Sequence, residues 1–234
     1  LEAMALNNLA NTVGLSQGDF YTALQYFDQA WSISHELGNI NGEAITLLNL
    51  GWLGGILGDY PAAVQYCERA LSILRDLGLR SHEANAYINL SAVMGAQGLA
   101  DDAFKWAKAA FEISTETGEQ TGIGWAWFYL GYAYLLKGEY SNAESAFMNS
   151  IQIRAAANAA VLVAEARAGL VNVHLETGDQ AAAQREAEHI LQYLQDNPSL
   201  EGAEEPLRIF LAVYHVLNKT KDPRAAVVLR DAIQ

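Results

Sequence analysis

The chain has 234 residues, 51% of them hydrophobic, which is enough to enclose a sizeable core and excludes an intrinsically disordered segment. Its 27 acidic side chains outnumber 14 basic ones for a formal net charge of -13, which repels phosphate backbones and anionic headgroups, so neither nucleic acid nor membrane is an expected partner. The one cysteine, Cys67, excludes an intrachain disulfide framework and points to a reducing, cytoplasmic setting, while no apolar run reaches the roughly 18–20 residues of a membrane span.

Only 4 prolines interrupt the chain, alanine and leucine are abundant, and no window alternates as a half-buried strand does, so the elements are read as helices. The first is expected over residues 2–17. It opens at Leu1 already inside an apolar pattern, with neither an initiator Met nor a cap, which reads as a segment of a longer polypeptide. Gly18 closes it, since glycine readily takes the left-handed conformation of a helix C-terminus, and Asp19 places negative charge at the start of a second helix over 20–37. The same corner returns at Gly58, Gly98, Gly138 and Gly178, each 40 residues from the last, and Ala23, Ala63, Ala103, Ala143 and Ala183 keep that step. A second set of corners falls 20 residues later, at Gly38, Gly78 and Gly118, with Asn158 and Pro198 standing in for the glycine. Each unit is therefore two helices, and the later pairs are predicted at 42–57 and 60–77, 82–97 and 100–117, 122–137 and 140–157, and 160–177 and 180–196. Small side chains at the repeated alanines, and at Ala30, Ala70 and Ala110, let paired rods approach closely.

The regular step stops at Pro198, so residues 1–198 read as five helix pairs and 199–234 as a sixth, atypical, capping pair. Its first helix is expected over 203–217 with Pro206 in the opening turn, and Asp222-Pro223 opens a short last helix to about Ile233. Ile209, Phe210, Leu211, Val213, Tyr214 and Val216 make the 203–217 helix apolar nearly all round, so more than one of its faces should be covered, by a neighbouring segment or by a second subunit.

The fourth pair carries Trp127, Leu130, Gly131, Tyr134, Gly138, Tyr140, Ala143 and Phe147, and the second keeps Leu50, Gly51, Gly58, Tyr60, Ala63 and Ala70. In that spacing the chain resembles the tetratricopeptide repeat, which implies an all-α, right-handed superhelix, an α-solenoid of helix-turn-helix pairs. The pattern departs at Leu47 and Gly54 in the second pair and at Ser91 and Val171 in the third and fifth. One extra residue between Asn8 and Gly18, compared with Asn49 to Gly58, predicts a bulge or a loss of register in the first helix. The step of 40, against a usual repeat of about 34, is similar to that of kinesin light chains, Leu-Gly-Asn-type polarity adaptors and the C-terminal sensor regions of bacterial maltose-activator-like regulators.

The resemblance implies a protein- or peptide-binding scaffold or sensor module, part of a larger bacterial signalling or regulatory protein, whose concave groove is walled by the first helices. The position before the Leu-Gly pair gives Asn8, Asn49 and Asn89, and the position two after the Leu gives Asn11, Trp52, Ala92, Tyr132 and Asn172. Ile45, Asn85, Trp125 and Glu165 take the groove-side positions at which some adaptors carry lysines, so a carboxylate clamp is not expected. A row of carboxamides offers donor and acceptor to the backbone of an extended peptide, or else bonds to the adjacent helix. Trp125, Phe128 and Tyr132 share one helix face, either as an interaction patch or as packing against the next turn of the superhelix. Two further classes stay open: a homo-oligomer through the C-terminal helices, and a small-molecule effector site near Trp125. An enzyme is not expected. His35, His82, His174, His189 and His215 are scattered without the spacing of a zinc helix, and no Gly-x-x-x-x-Gly-Lys-Ser/Thr loop occurs, so neither metal nor cofactor is assigned. Cys67 reads as an inert buried thiol.

Overall fold

A computed structural model describes residues 1–197, 200 and 202–232; the corner expected at Pro198 and the helix end expected at Ile233 lie outside the described residues. Among those described, there are twelve helices: α1 (Glu2–Gln17), α2 (Phe20–Glu36), α3 (Ile40–Leu57), α4 (Tyr60–Asp76), α5 (Arg80–Ala96), α6 (Ala100–Thr117), α7 (Gln120–Leu136), α8 (Tyr140–Ala156), α9 (Ala160–Thr177), α10 (Gln180–Asp196), α11 (Pro206–Lys219) and α12 (Arg224–Asp231). They form consecutive antiparallel pairs, and no strand occurs among the described residues.

The corners behave as their residues require. The eight corner glycines from Gly18 to Gly178 have φ between 63° and 78°, and Asn158 adopts φ 56°, the left-handed conformation that asparagine tolerates better than other side chains. Helix starts are capped where the sequence supplies a short acceptor. Asp19, Asn39, Asp59 and Asp179 accept bonds from the N–H groups of Thr22, Gly42, Ala62 and Ala182 at 3.0, 3.1, 3.2 and 2.9 Å. Each such cap stabilises its helix by about 1 kcal/mol.

Two compact units are present, Leu1–Tyr129 and Leu130–Gln234. Within the first, α1 to α6 pack as successive pairs, and α5 also meets α3 directly. Ala23, Ala63 and Ala103, together with Ala30, Ala70 and Ala110, are at most 2% exposed. A Cβ added to Gly14 would lie 3.3 Å from the Ala23 methyl, and one added to Gly54 would lie 3.2 Å from that of Ala63. The 40-residue step therefore holds through α1, which is an unbroken helix without the bulge expected from counting back from Asn49. Its Asn7, not Asn8, reaches α3, donating to Thr46 Oγ1 at 2.7 Å.

At the crossing of each pair, side-chain volume is traded between the two helices. Cys67 of α4 fills the space over Gly51, where a Cβ would come within 2.5 Å of its sulfur. Burial pushes the Cys67 thiol up to about 12. In the second unit Phe147 of α8 lies between two glycines: an added Cβ would sit 2.7 Å from its ring at Gly131 and 2.4 Å at Gly169. Where the first helix carries Val171, the second carries Ala187, and both are fully buried. The sixth pair closes this unit: α11 packs on α9 and α10 through Ile209, Ala212, Val213, Val216 and Leu217. α12 covers it further through Ala225 and Val228, and Phe210 and Tyr214 are partly buried against the same core, while Leu207 and Leu211 remain 57% and 44% exposed.

Replacing Gly169 with Ala should destabilise the chain by about 1–3 kcal/mol through overpacking against the Phe147 ring, and Gly131→Ala should do likewise. Denaturant unfolding checks this, and pairing either change with Phe147→Leu should recover part of the loss.

Candidate functional site

On the inner helices of the first unit, burial leaves one stripe open. Within residues 44–53 of α3 every side chain is buried except Ile45, Asn49 and Trp52, and within 83–93 of α5 every one except Asn85, Asn89 and Ala92. These triplets coincide at the 40-residue step, and their spacing of four and three residues places each on one side of its helix. Trp125 continues the series on α7, half-buried, with Phe128 edge-on at 5.7 Å and Tyr129 stacked at 6.2 Å.

The asparagines of the stripe differ in their duties. Asn49 donates to Asn7 Oδ1 at 3.1 Å, and Asn89 donates to the Leu48 carbonyl at 3.1 Å, so each ties its helix to the preceding inner helix. This is the adjacent-helix role, and both side chains remain half-exposed. Asn85 is exposed.

Three of the expected site residues fall elsewhere. With the step of 40 intact in α1, the counterparts of Ile45, Asn49 and Trp52 are Ala5, Leu9 and Thr12. Asn8 is thereby shifted one residue round the helix to an exposed position in register with Leu48, and Asn11 is half-buried in register with Gly51. Phe128 is also in the Leu48 register and only 2% exposed, so it is packed core and not part of an open face.

Behind the stripe lies an ionic cluster that single-residue inspection of the sequence missed. Glu83, 4% exposed, accepts from Arg75 Nε at 3.0 Å, Arg80 Nη1 at 2.6 Å and the Tyr87 hydroxyl at 3.1 Å, and Arg80 reaches on to Glu116 at 2.7 Å. Burial alone would raise the Glu83 carboxyl, but the bonds from Arg75, Arg80 and Tyr87 outweigh it and hold the group below its ordinary value. The signal was available in the repeat. Glu43 stands in the same register and pairs with His35 at 3.3 Å and Arg69 at 3.6 Å.

In the second unit the corresponding positions are treated differently. Tyr132 is half-buried, edge-on to Phe147 at 5.0 Å and beneath the Arg208 guanidinium at 4.4 Å. Asn172 is half-exposed. Glu165 is only 2% exposed, and its Oε1 accepts the backbone N–H groups of Glu204 and Glu205 at 2.6 and 2.9 Å, satisfying the start of α11. Arg154, 3% exposed, lies 3.8 Å from the other carboxylate oxygen and donates to the Leu162 carbonyl at 2.7 Å. A cleft of about 340 Å³ opens nearby, lined by Asn158, Val163, Arg167, His189 and Tyr193 among others. Among the described residues no three His, Cys, Asp or Glu side chains are grouped to hold a metal ion, and no helix is long and apolar enough to cross a membrane.

The family model described as Tetratricopeptide repeat matches residues 1–76, 55–116 and 82–156. No curated protein matches the chain in sequence. Among solved structures the chain is similar to a Rap protein complexed with competence and sporulation factor, at TM-score 0.77 and 19% identity over 99% of this chain and 62% of that one. It is similar to BtubC from P. vanneervenii, at TM-score 0.66 and 17% identity over 92% and 89%. It is also similar to a Signal Transduction ATPase with Numerous Domains from Pyrococcus horikoshii that has a tetratricopeptide repeat sensor, at TM-score 0.66 and 13% identity over 98% of this chain and 35% of that one. At such identities the likeness establishes the fold, an all-α solenoid.

Burial raises the Glu165 carboxyl above its ordinary value of 4.5, against the bonds from Glu205 and Glu204 and the charge of Arg154. A carboxyl raised in the folded state binds protons more tightly there than in the unfolded chain, so its contribution to stability grows as pH falls and is lost as pH rises through the folded value. Relative to Glu165→Gln, the wild-type chain should therefore gain stability as pH is lowered towards 4.5, as measured by thermal melts of both proteins across that range.

Proposed function

Because this chain belongs to the tetratricopeptide repeat family, we propose that it is a protein-interaction or sensor module which holds an extended segment of its partner along the open stripes of α3 and α5. The observation that carries this reading is the recurrence of the same three uncovered positions, Ile45-Asn49-Trp52 and Asn85-Asn89-Ala92, on helices otherwise buried around them. Apolar Ile45 and Trp52 supply area, and the carboxamides supply donors and acceptors for a peptide backbone, so contact is made without a charge of its own.

Charge sets the partner's chemistry. Residues 1–129 carry fourteen acidic side chains against five basic ones, which favours a neutral or basic segment and disfavours an acidic one. The pairing of a structurally similar Rap protein with competence and sporulation factor, and the sensor role of the repeats in the Pyrococcus horikoshii protein, support a place in a larger signalling or regulatory protein. The reading requires no catalytic group and no cofactor, and it places the protein in the cytoplasm.

Two asparagines separate recognition from architecture. Asn85→Ala should leave the melting temperature at the wild-type value and weaken binding of a neutral or basic peptide roughly fivefold, the equivalent of one hydrogen bond of about 1 kcal/mol. Asn89→Ala should cost about 1 kcal/mol of stability through the lost bond to the Leu48 carbonyl. Tryptophan fluorescence titration and thermal melts measure both. Unchanged affinity in Asn85→Ala and in Trp52→Ala would remove the stripe as the binding surface.

A further inference from the structure

A glutamate anchored by cations recurs near the start of the second and third helix pairs, and the fifth pair lacks it. Glu43 pairs with His35 at 3.3 Å and Arg69 at 3.6 Å. One repeat later, Glu83 pairs with Arg75 at 3.0 Å and Arg80 at 2.6 Å and accepts from the Tyr87 hydroxyl at 3.1 Å. Two repeats beyond that cluster the register holds Ala155 for Arg75, Ala160 for Arg80, Val163 for Glu83 and Arg167 for Tyr87. The charged side chains that fill this place in the third pair are thus cut back, and the cleft of about 340 Å³ bounded by α8, α9 and α10 opens at those same four residues.

Donors that could hold such a carboxylate are nevertheless present. His189 lines the cleft in the register of Arg69, and Tyr193 lines it where the four earlier outer helices carry Ile33, Ile73, Ile113 and Ile153. Arg167 is tied through Nη1 to Glu186, a contact that fixes the guanidinium and occupies only one of its several N–H donors. One arginine can serve two carboxylates in this fold, since Arg80 bonds Glu83 at 2.6 Å and Glu116 at 2.7 Å. The volume is of the size that encloses small molecules, and the walls formed by Ala155, Ala160 and Val163 are apolar.

From this substitution pattern we propose that the cleft binds a small molecule bearing a free carboxylate on a compact apolar body, the carboxylate taking the place that the Glu43 and Glu83 side chains take in their own repeats. Arg167 and His189 donate to the carboxylate, while Tyr193 and the short aliphatic walls enclose the apolar body. Hydrogen bonds to an ionised acceptor are stronger than neutral ones, so an uncharged amide of the same shape is a poor substitute. The site is built from α8, α9 and α10 alone and does not depend on the open stripes of α3 and α5.

Proton NMR titration of the 234-residue chain with phenylacetate and with phenylacetamide tests the proposal. Phenylacetate should bind with a Kd of about 1 mM or below and shift the ring signals of His189. Phenylacetamide should bind roughly tenfold more weakly. His189 is exposed, so His189→Ala should keep the wild-type melting temperature and weaken phenylacetate binding roughly fivefold. Val163→Glu restores the residue type of Glu43 and Glu83 at that register position and should satisfy the donors from within, abolishing binding with the circular dichroism unchanged. Should Val163→Glu unfold, His189→Ala decides alone. A wild-type chain that does not bind phenylacetate, an amide that binds as tightly, a His189→Ala chain of unchanged affinity or a folded Val163→Glu chain that still binds would each overturn it.

Discussion

The structure depends on how closely two helices can approach at the crossing of each pair. A 40-residue hairpin has no core of its own thicker than one layer of side chains, so the distance between its rods decides whether the next hairpin can stack in register. The chain meets this constraint by exchange of volume: a ring or a thiol on one helix faces a glycine on the other, as Phe147 does with Gly131 and Gly169 and Cys67 with Gly51. Where the first helix has Val171, the second retreats to Ala187. Fixed alanines such as Ala63 and Ala143, without measurable exposure, keep the remaining contacts short.

Once the rods are set at one spacing, the inner face follows. Within 44–53 of α3 and 83–93 of α5 three residues escape burial, because the other positions are claimed by the partner helix, the pair before and the pair after. Polar groups on that face then serve two purposes. The bonds of Asn49 and Asn89 tie each rung to the preceding inner helix, while Asn85 is exposed and Ile45 and Trp52 are half-buried, Trp52 packing on one side against the core of Ala10, Phe27 and Leu53. In the second unit the same position is occupied by Glu165 and covered by the chain itself, as its carboxylate takes up backbone donors at the start of α11. A position that is open in one repeat is thus a structural joint in another.

Most of the fold was legible because it is periodic. Glycines at eight of the corners and alanines at a constant offset fix helix number and hairpin phase without any reference to contacts, and ten of the helices begin and end within two residues of their expected bounds. What could not be read were features that depend on azimuth. Asn8 looked equivalent to Asn49 when the chain was aligned on its Asn-Leu dipeptides, yet Gly14 against Ala23 keeps the step at 40, and a one-residue difference turns a side chain by about 100°. Phe128 shared a helical face with Trp125 by spacing, but at 2% exposure it belongs to the packed core. The Glu83 cluster joins residues from three helices, and nothing local marks Arg75 or Glu116 as its partners.

Cys67 carries a consequence of its own. It is the only thiol in the chain, it is fully buried against Gly51, and it is held in the protonated, unreactive form. A reagent that alkylates thiolates can reach it only after α3 and α4 part, so its labelling rate in the native protein acts as a clock for the breathing of that single hairpin, separate from global unfolding. The molecule thereby contains a timekeeper for one repeat of an otherwise repetitive array, and a guest that clamps α3 would slow it.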